Sequence, residues 1–208
     1  MGNVIKSSHK KNVIVILMTL LLLSPILAKG ILDSKLAKGN NDEIFVKNLV
    51  QASYGNYEQR SFINRVGQAA MNDYSGIYPS VTIAQAILES GWGKSTLASQ
   101  YNNLFGIKSD GWGGNVVNLP SKEYTANGWE YYPSYYRVYS SFEESIADHS
   151  AFLRNNYRYT AGGVFSARNY AEQAYAIQNS GYASGYNYAS TLISIIQTYN
   201  LDDFDVRY

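Results

Sequence analysis

Residues 78–93 read Tyr78-Pro79-Ser80-Val81-Thr82-Ile83-Ala84-Gln85-Ala86-Ile87-Leu88-Glu89-Ser90-Gly91-Trp92-Gly93. Proline next to a hydroxyl residue opens a helix at Ser80 or Val81, because the amide that proline lacks would have no partner in the first turn. Val81, Ala84, Ile87 and Leu88 recur at helical spacing as a buried stripe, and Gly91 ends the helix by adopting the left-handed conformation that other residues resist. Glu89 is the one charged residue in the stretch. At the C-terminal end of a helix it meets the negative end of the dipole in a largely apolar neighbourhood, and both raise a carboxyl pKa. A surface glutamate at a helix end is the alternative, but charges there are more often basic, and the Gly91-Trp92-Gly93 turn supplies an aromatic wall.

Working outward, the segments 42–53 and 61–72 read as two helices, the second with Phe62, Val66 and Ala69 or Ala70 on one face. A short helix is expected over 94–99. From Asn102 to about Tyr139 the pattern changes to glycines and short aromatic strands, with Asn127-Gly128 as a two-residue hairpin turn. That turn sets Ala126 opposite Trp129, Thr125 opposite Glu130, Tyr124 opposite Tyr131 and Glu123 opposite Tyr132. Glu123, Thr125, Glu130 and Tyr132 then share one face. Ser141 with Glu144 reads as a capping box opening a helix to about Leu153, with Phe142, Ile146, His149 and Leu153 facing the core. Asn169 with Glu172 opens another helix, to about Asn179 and closed by Gly181. Leu192, Ile195, Ile196 and Tyr199 mark the last helix, and Tyr175 and Tyr199 are read as packing residues. The pattern is α+β: a mainly helical body interrupted once by a small β-hairpin lobe.

The 208 residues contain no cysteine, two histidines and 20 tyrosines, and 16% are charged. Absent cysteine excludes disulfides, thiolate metal sites and a cysteine nucleophile. A net charge of +1 offers no electrostatic case for nucleic acid. Lys6, Lys10 and Lys11 precede an apolar run from Val13 to Leu23, then Ser24, Pro25 and Ala28, which is the layout of a secretory signal peptide. Residues 1–28 are therefore expected to be removed, with an uncleaved membrane anchor as the alternative. The first 28 residues hold three of the 17 basic residues and no acid, so the remainder carries 14 basic against 16 acidic residues, net −2. Residues 29–42 read as a linker, 43–201 as the domain and 202–208 as a tail. His149 is then the one histidine left, too few for a Ser-His-Asp triad beside a core role or for a histidine metal site. Acid–base chemistry must rest on carboxylates supported by tyrosine, and no metal or cofactor is expected.

Glu89 leads the carboxylates, since a protonated acid near neutral pH is what a glycosidase donates to a leaving oxygen. Glu123 and Glu130 share a hairpin face and periodicity does not choose between them. Glu143 and Glu144 read as helix N-terminal charges, and Asp148, Glu172, Asp202, Asp203 and Asp205 form no evident constellation. Six tyrosines fall between Tyr124 and Tyr139. They read either as an aromatic surface for sugar rings or as ordinary strand formers.

The run Tyr78 to Gly93, then Asn102-Asn103-Leu104-Phe105-Gly106-Ile107-Lys108, Lys122-Glu123-Tyr124 before Asn127-Gly128, Arg137 to Phe152, and Gly181-Tyr182-Ala183 through Tyr188-Ala189 and Ile196 resemble glycoside hydrolase family 73. Its members are bacterial peptidoglycan-cleaving endo-β-N-acetylglucosaminidases. The resemblance spans about Ser61 to Leu201. It implies a lysozyme-like fold with a groove between helical body and β-lobe, Glu89 as general acid, and Glu123 as the hairpin carboxylate. Tyr159 matches a tyrosine implicated in the family, and Tyr157 stands where the family usually has proline, which leaves it as the other candidate. Within the matching segments Trp92, Asn103, Phe105, Tyr124, Tyr182 and Tyr188 are the expected substrate contacts. The implied partner is the peptidoglycan glycan strand outside the cell. No nucleic acid or stable protein partner is implied, and a membrane only if the N-terminal segment is retained.

Overall fold

A computed structural model describes residues 41–125, 128–183 and 185–205, with side chains from Tyr57 onward except at 122–125 and 129. The signal-peptide reading at 1–28 and all of the linker before Asn41 lie outside the described residues. The chain divides into units of residues 1–61 and 62–208, and the core and cleft described below belong to the second.

Helix α1 (Asn41–Asp73) is a single helix of 33 residues where two were expected. Gly55 costs roughly 1 kcal/mol relative to alanine but does not break a helix, and no proline intervenes. Phe62, Val66 and Ala70 are buried along its last turns. Helix α2 (Pro79–Ser90) follows, then α3 (Thr96–Tyr101), begun by Ser95, whose side chain accepts from the Ala98 amide at 3.2 Å.

Strands β1 (Val116–Thr125) and β2 (Gly128–Arg137) form a two-stranded antiparallel hairpin. The register differs from the expected one: Thr125 pairs with Gly128, Tyr124 with Trp129 and Glu123 with Glu130. Gly128, expected in the turn, is instead the first residue of β2, at φ 102°, and the rest of the expected turn, Asn127, lies outside the described residues. The partner of each residue shifts by two positions, Glu123 from Tyr132 to Glu130, and because a shift of two keeps the strand alternation in phase, the facing pairs change while the division into two faces survives.

The remaining elements are α4 (Phe142–Asn155), the short α5 (Tyr157–Ala161), a 3-10 turn at Val164–Ser166, α6 (Tyr170–Asn179), α7 (Tyr188–Tyr199) and a 3-10 turn at Leu201–Phe204. Both capping residues act as expected: Ser141 accepts from the Glu144 amide at 3.2 Å and Asn169 from the Glu172 amide at 2.9 Å. The return bonds reach one residue further back, Glu144 to the Ser140 amide and Glu172 to the Arg168 amide.

Helix α2 is the axis of this unit. Every residue from Pro79 to Ile87 is buried, so the helix is enclosed on all sides rather than along one stripe. Ile83, outside the expected stripe, is buried, whereas Leu88, expected within it, is exposed. Tyr175 is likewise exposed, and Ala174 and Ile177 supply the buried side of α6. Residues 202–205 are not a loose tail. Phe204 packs against the core over Gly67, and Asp205 accepts from the Ser80 amide at 2.8 Å and the Ser80 hydroxyl at 2.6 Å, satisfying the start of α2.

Candidate active site

Because α2 runs enclosed through the core, its C-terminal end is where it can present a side chain to a substrate. There the helix stops abruptly. Gly91 takes φ 56° and its amide bonds the Ile87 carbonyl. Ser90 donates to the Ala86 carbonyl and accepts from the Gly93 amide at 2.7 Å, fastening the turn. Gly93 is required twice over: it sits at φ 72°, and a Cβ there would lie 2.8 Å from the Phe62 ring.

The turn leaves Glu89 lining a cleft of about 700 Å³, together with Phe105, Tyr136, Arg158, Tyr159 and Tyr182. That volume suits a small oligomeric ligand. Glu89 is accessible from this cleft, yet the surrounding walls strip water from its carboxyl. Desolvation pushes its pKa above the ordinary carboxylate range, opposed by a hydrogen bond from Tyr188. That bond joins Tyr188 Oη to Glu89 Oε1 at 2.9 Å, and Tyr188 Oη in turn accepts from Gln85 Nε2 at 3.0 Å. Burial and the nearby Tyr182 and Glu89 push the Tyr188 phenol upward, so it stays a proton donor. Tyr188 is the first residue of α7, and Gln85 lies one helical turn before Glu89, so two elements fix the carboxyl from one side.

From Glu89 an aromatic wall continues. The rings of Tyr188 and Tyr182 are 5.6 Å apart, and those of Tyr182 and Tyr159 are 6.3 Å apart. Tyr159 is fully buried, its hydroxyl held by Arg158 Nη2 at 2.6 Å with the guanidinium 4.7 Å above its ring. Tyr157 is 81% exposed and does not line the cleft. Phe105 stacks on His149 at 3.9 Å, and the imidazole is wholly buried, the core placement expected of it.

The other expected substrate contacts fall elsewhere. Trp92 packs edge-on against Phe62 and Tyr199, at 6.1 and 4.9 Å between ring centres, and does not line the cleft. Asn103 is buried and ties its loop together, donating to the Ile107 and Arg137 carbonyls and accepting from the Ile107 amide. The side chains of Glu123 and Tyr124 lie outside the described residues. Their backbones belong to β1, where Glu123 faces Glu130, six residues along β2 from the cleft residue Tyr136. That separation is roughly 20 Å of strand.

Sequence reading missed an ionic cluster at the foot of the hairpin. Arg137 grips Asp148 through Nη1, at 2.9 and 2.8 Å to its two oxygens, and Tyr139 donates to the same carboxylate at 2.6 Å. Arg137 also lies over the Trp112 ring at 4.9 Å. Arg137 and Tyr139 lie only 11 and 9 positions before Asp148, but the contact joins the end of a strand to a helix, and neither strand alternation nor helical spacing announces such a pair. Gln85 was different, since its helical spacing from Glu89 already put it on the same face.

Comparison with known proteins follows the same lines. The chain is 40% identical over 155 residues to the exo-glucosaminidase LytG of Bacillus subtilis, covering 71% of this chain and 54% of that protein. It is 38% identical over 165 residues to a probable N-acetylmuramidase of Lactococcus lactis, covering 76% of this chain and 37% of that protein. The chain thus spans about half, or less, of these curated relatives. The catalytic domain of the autolysin Auto from Listeria monocytogenes superposes with a TM-score of 0.65 at 32% identity, covering 88% of this chain and 98% of that domain. The fold is therefore shared with that catalytic domain. Residues 66–201 match the glucosaminidase family described as mannosyl-glycoprotein endo-beta-N-acetylglucosaminidase, and the chain belongs to that family of glycoside hydrolases, family 73.

Proposed function

We propose that this chain is a secreted peptidoglycan hydrolase that cuts the β-1,4 glycosidic bond after N-acetylglucosamine, with Glu89 as general acid. The observation that carries the reading is the state of Glu89, a carboxyl raised by desolvation, held through one oxygen and open to a cleft lined with aromatic rings. Such a group keeps its proton at pH values where an ordinary glutamate has lost it. Glu89 gives that proton to the glycosidic oxygen as its bond to the anomeric carbon breaks, and positive charge develops on the sugar.

Two routes complete the reaction. In one, Glu123 activates water and the configuration inverts. In the other, the 2-acetamido oxygen of the substrate closes on the anomeric carbon, water later opens the ring, and configuration is retained with Tyr159 in support. The height of Glu123 on the hairpin favours the second route, which requires no long movement of a carboxylate. The partly exposed ring of Tyr182 in the cleft suits stacking against N-acetylated sugars, with the buried Tyr159 packed behind it. Export is supported by the basic and apolar pattern of residues 1–28.

The relationship to a probable N-acetylmuramidase supports a second reading, in which the bond cut follows N-acetylmuramic acid. Mass spectrometry of borohydride-reduced digests separates the two. Reduced N-acetylglucosamine ends are expected, and reduced or anhydro N-acetylmuramic acid ends would establish the second reading. Glu89→Gln is expected to abolish wall hydrolysis, a loss of at least about a thousandfold, while circular dichroism stays unchanged. A mutant that clears walls at the normal rate would remove Glu89 from its role.

A further inference from the structure

Gln85 is fully buried, and its two amide atoms are treated very differently by their surroundings. Nε2 donates to Tyr188 Oη at 3.0 Å, whereas Oε1 has no hydrogen-bond partner among the described residues. A buried amide with one orphaned atom is costly, and reversing it would give Oε1 the Tyr188 hydroxyl as a donor. The orientation present is the one that makes Tyr188 an acceptor toward Gln85 and a donor toward Glu89.

We propose that Gln85 is a positioning residue: by donating to Tyr188 Oη it directs the phenolic proton to Glu89 Oε1, and so confines the acidic proton of Glu89 to Oε2. With Oε1 occupied as an acceptor, the acid form has one oxygen left to carry the proton, the one that Tyr188 does not hold. In the reversed amide, Tyr188 would donate to Gln85 and accept from Glu89, drawing the acidic proton onto Oε1 and away from a substrate. The direction of a two-bond chain thus decides which oxygen is the acid.

The inference rests on Glu89 as general acid, but the chain of hydrogen bonds exists whatever Glu89 does. Tyr188 and Tyr182 are the titratable groups packed nearest the Glu89 side of the cleft. The cleft is lined further by Tyr159, Lys108, Asp110, Tyr136, Arg137 and Arg158. Arg137 is engaged by Asp148, and Arg158 donates to Tyr159. Tyr188 is the one whose hydrogen bond favours the ionised form of Glu89.

The test is a titration of Glu89 by carbon NMR in protein labelled at the glutamate carboxyls, the resonance being assigned by its loss in Glu89→Gln. Gln85→Met keeps the volume and removes both amide atoms. Its Glu89 midpoint is expected to rise by about 0.5 pH unit, and that of Tyr188→Phe by more. Because Gln85 acts through Tyr188, the double variant is expected to titrate like Tyr188→Phe alone. The alkaline limb of kcat/KM moves by the same amount in each. An unchanged midpoint in Gln85→Met, or shifts that add in the double variant, overturns the proposal. If Gln85→Met does not fold, Gln85→Asn, one methylene too short to reach Tyr188, carries the same expectation. Should the midpoints move as stated while Glu89→Gln still cleaves walls normally, the relay stands and the proposed catalytic role falls.

Discussion

His149 lies wholly inside the core with neither ring nitrogen hydrogen-bonded among the described residues. Burial pushes its pKa from 6.5 down to about 3. Between these values the unfolded chain binds the proton and the folded one does not, so stability is complete above pH 6.5 and is lost as pH falls toward 3. His149→Leu is expected to flatten the pH dependence of thermal unfolding across this window, because it removes the group that must charge. Glu89 carries the opposite sign. Its folded pKa is raised, so the folded state holds the proton longer, and stability declines as pH rises from the ordinary carboxylate range through the folded value. Glu89→Gln should therefore melt no lower than the parent at pH 7, and higher if the desolvated charge is fully formed there. An active-site acid that is costly to ionise is consistent with this, and a neutral-pH melting temperature clearly below the parent's would contradict it.

At the scale of elements, the hairpin depends on its foot. Arg137, at the end of β2, and Asp148, on α4, are each 14% exposed at the side chain and meet at 2.8 Å, with Tyr139 as a third partner. Asp148→Ala would leave a guanidinium and a phenol without their acceptor and is expected to cost about 2–3 kcal/mol in urea unfolding. Hydrogen exchange should quicken in β2 before the helices. The hairpin also shows how far local patterns reach. Strand alternation put Glu123 and Glu130 on one face correctly, since that depends only on a period of two. Their pairing depends on where the turn closes, and Gly128 was free to serve either inside the loop or as the first residue of β2. The helices with clear caps, α4 and α6, were legible to within a residue or two, because a cap is a contact between near neighbours.

At the scale of the whole molecule, the C-terminal residues and the start of α2 form one structure. Asp205 meets Ser80 across 125 positions of sequence, and Phe204 fills the space over Gly67. A chain ending at Leu201 is expected to lose about 2–4 kcal/mol, through an uncapped α2 and an opened core, read as a lower urea midpoint. Full stability in that truncation would restore the reading of 202–208 as a tail. Sequence alone determined the order of helices around one hairpin, the core placement of His149, and Glu89 at the exit of α2. These follow from periodicity, caps and glycine, all of which act within a few residues. Tertiary structure decided that α2 is enclosed on every side, that Trp92 packs against Phe62 and Tyr199 rather than lining the cleft, and that Tyr188, itself held by Gln85, holds one oxygen of the acid. Those contacts join residues about a hundred positions apart, and only the closing of α7 onto α2 brings them within a hydrogen bond.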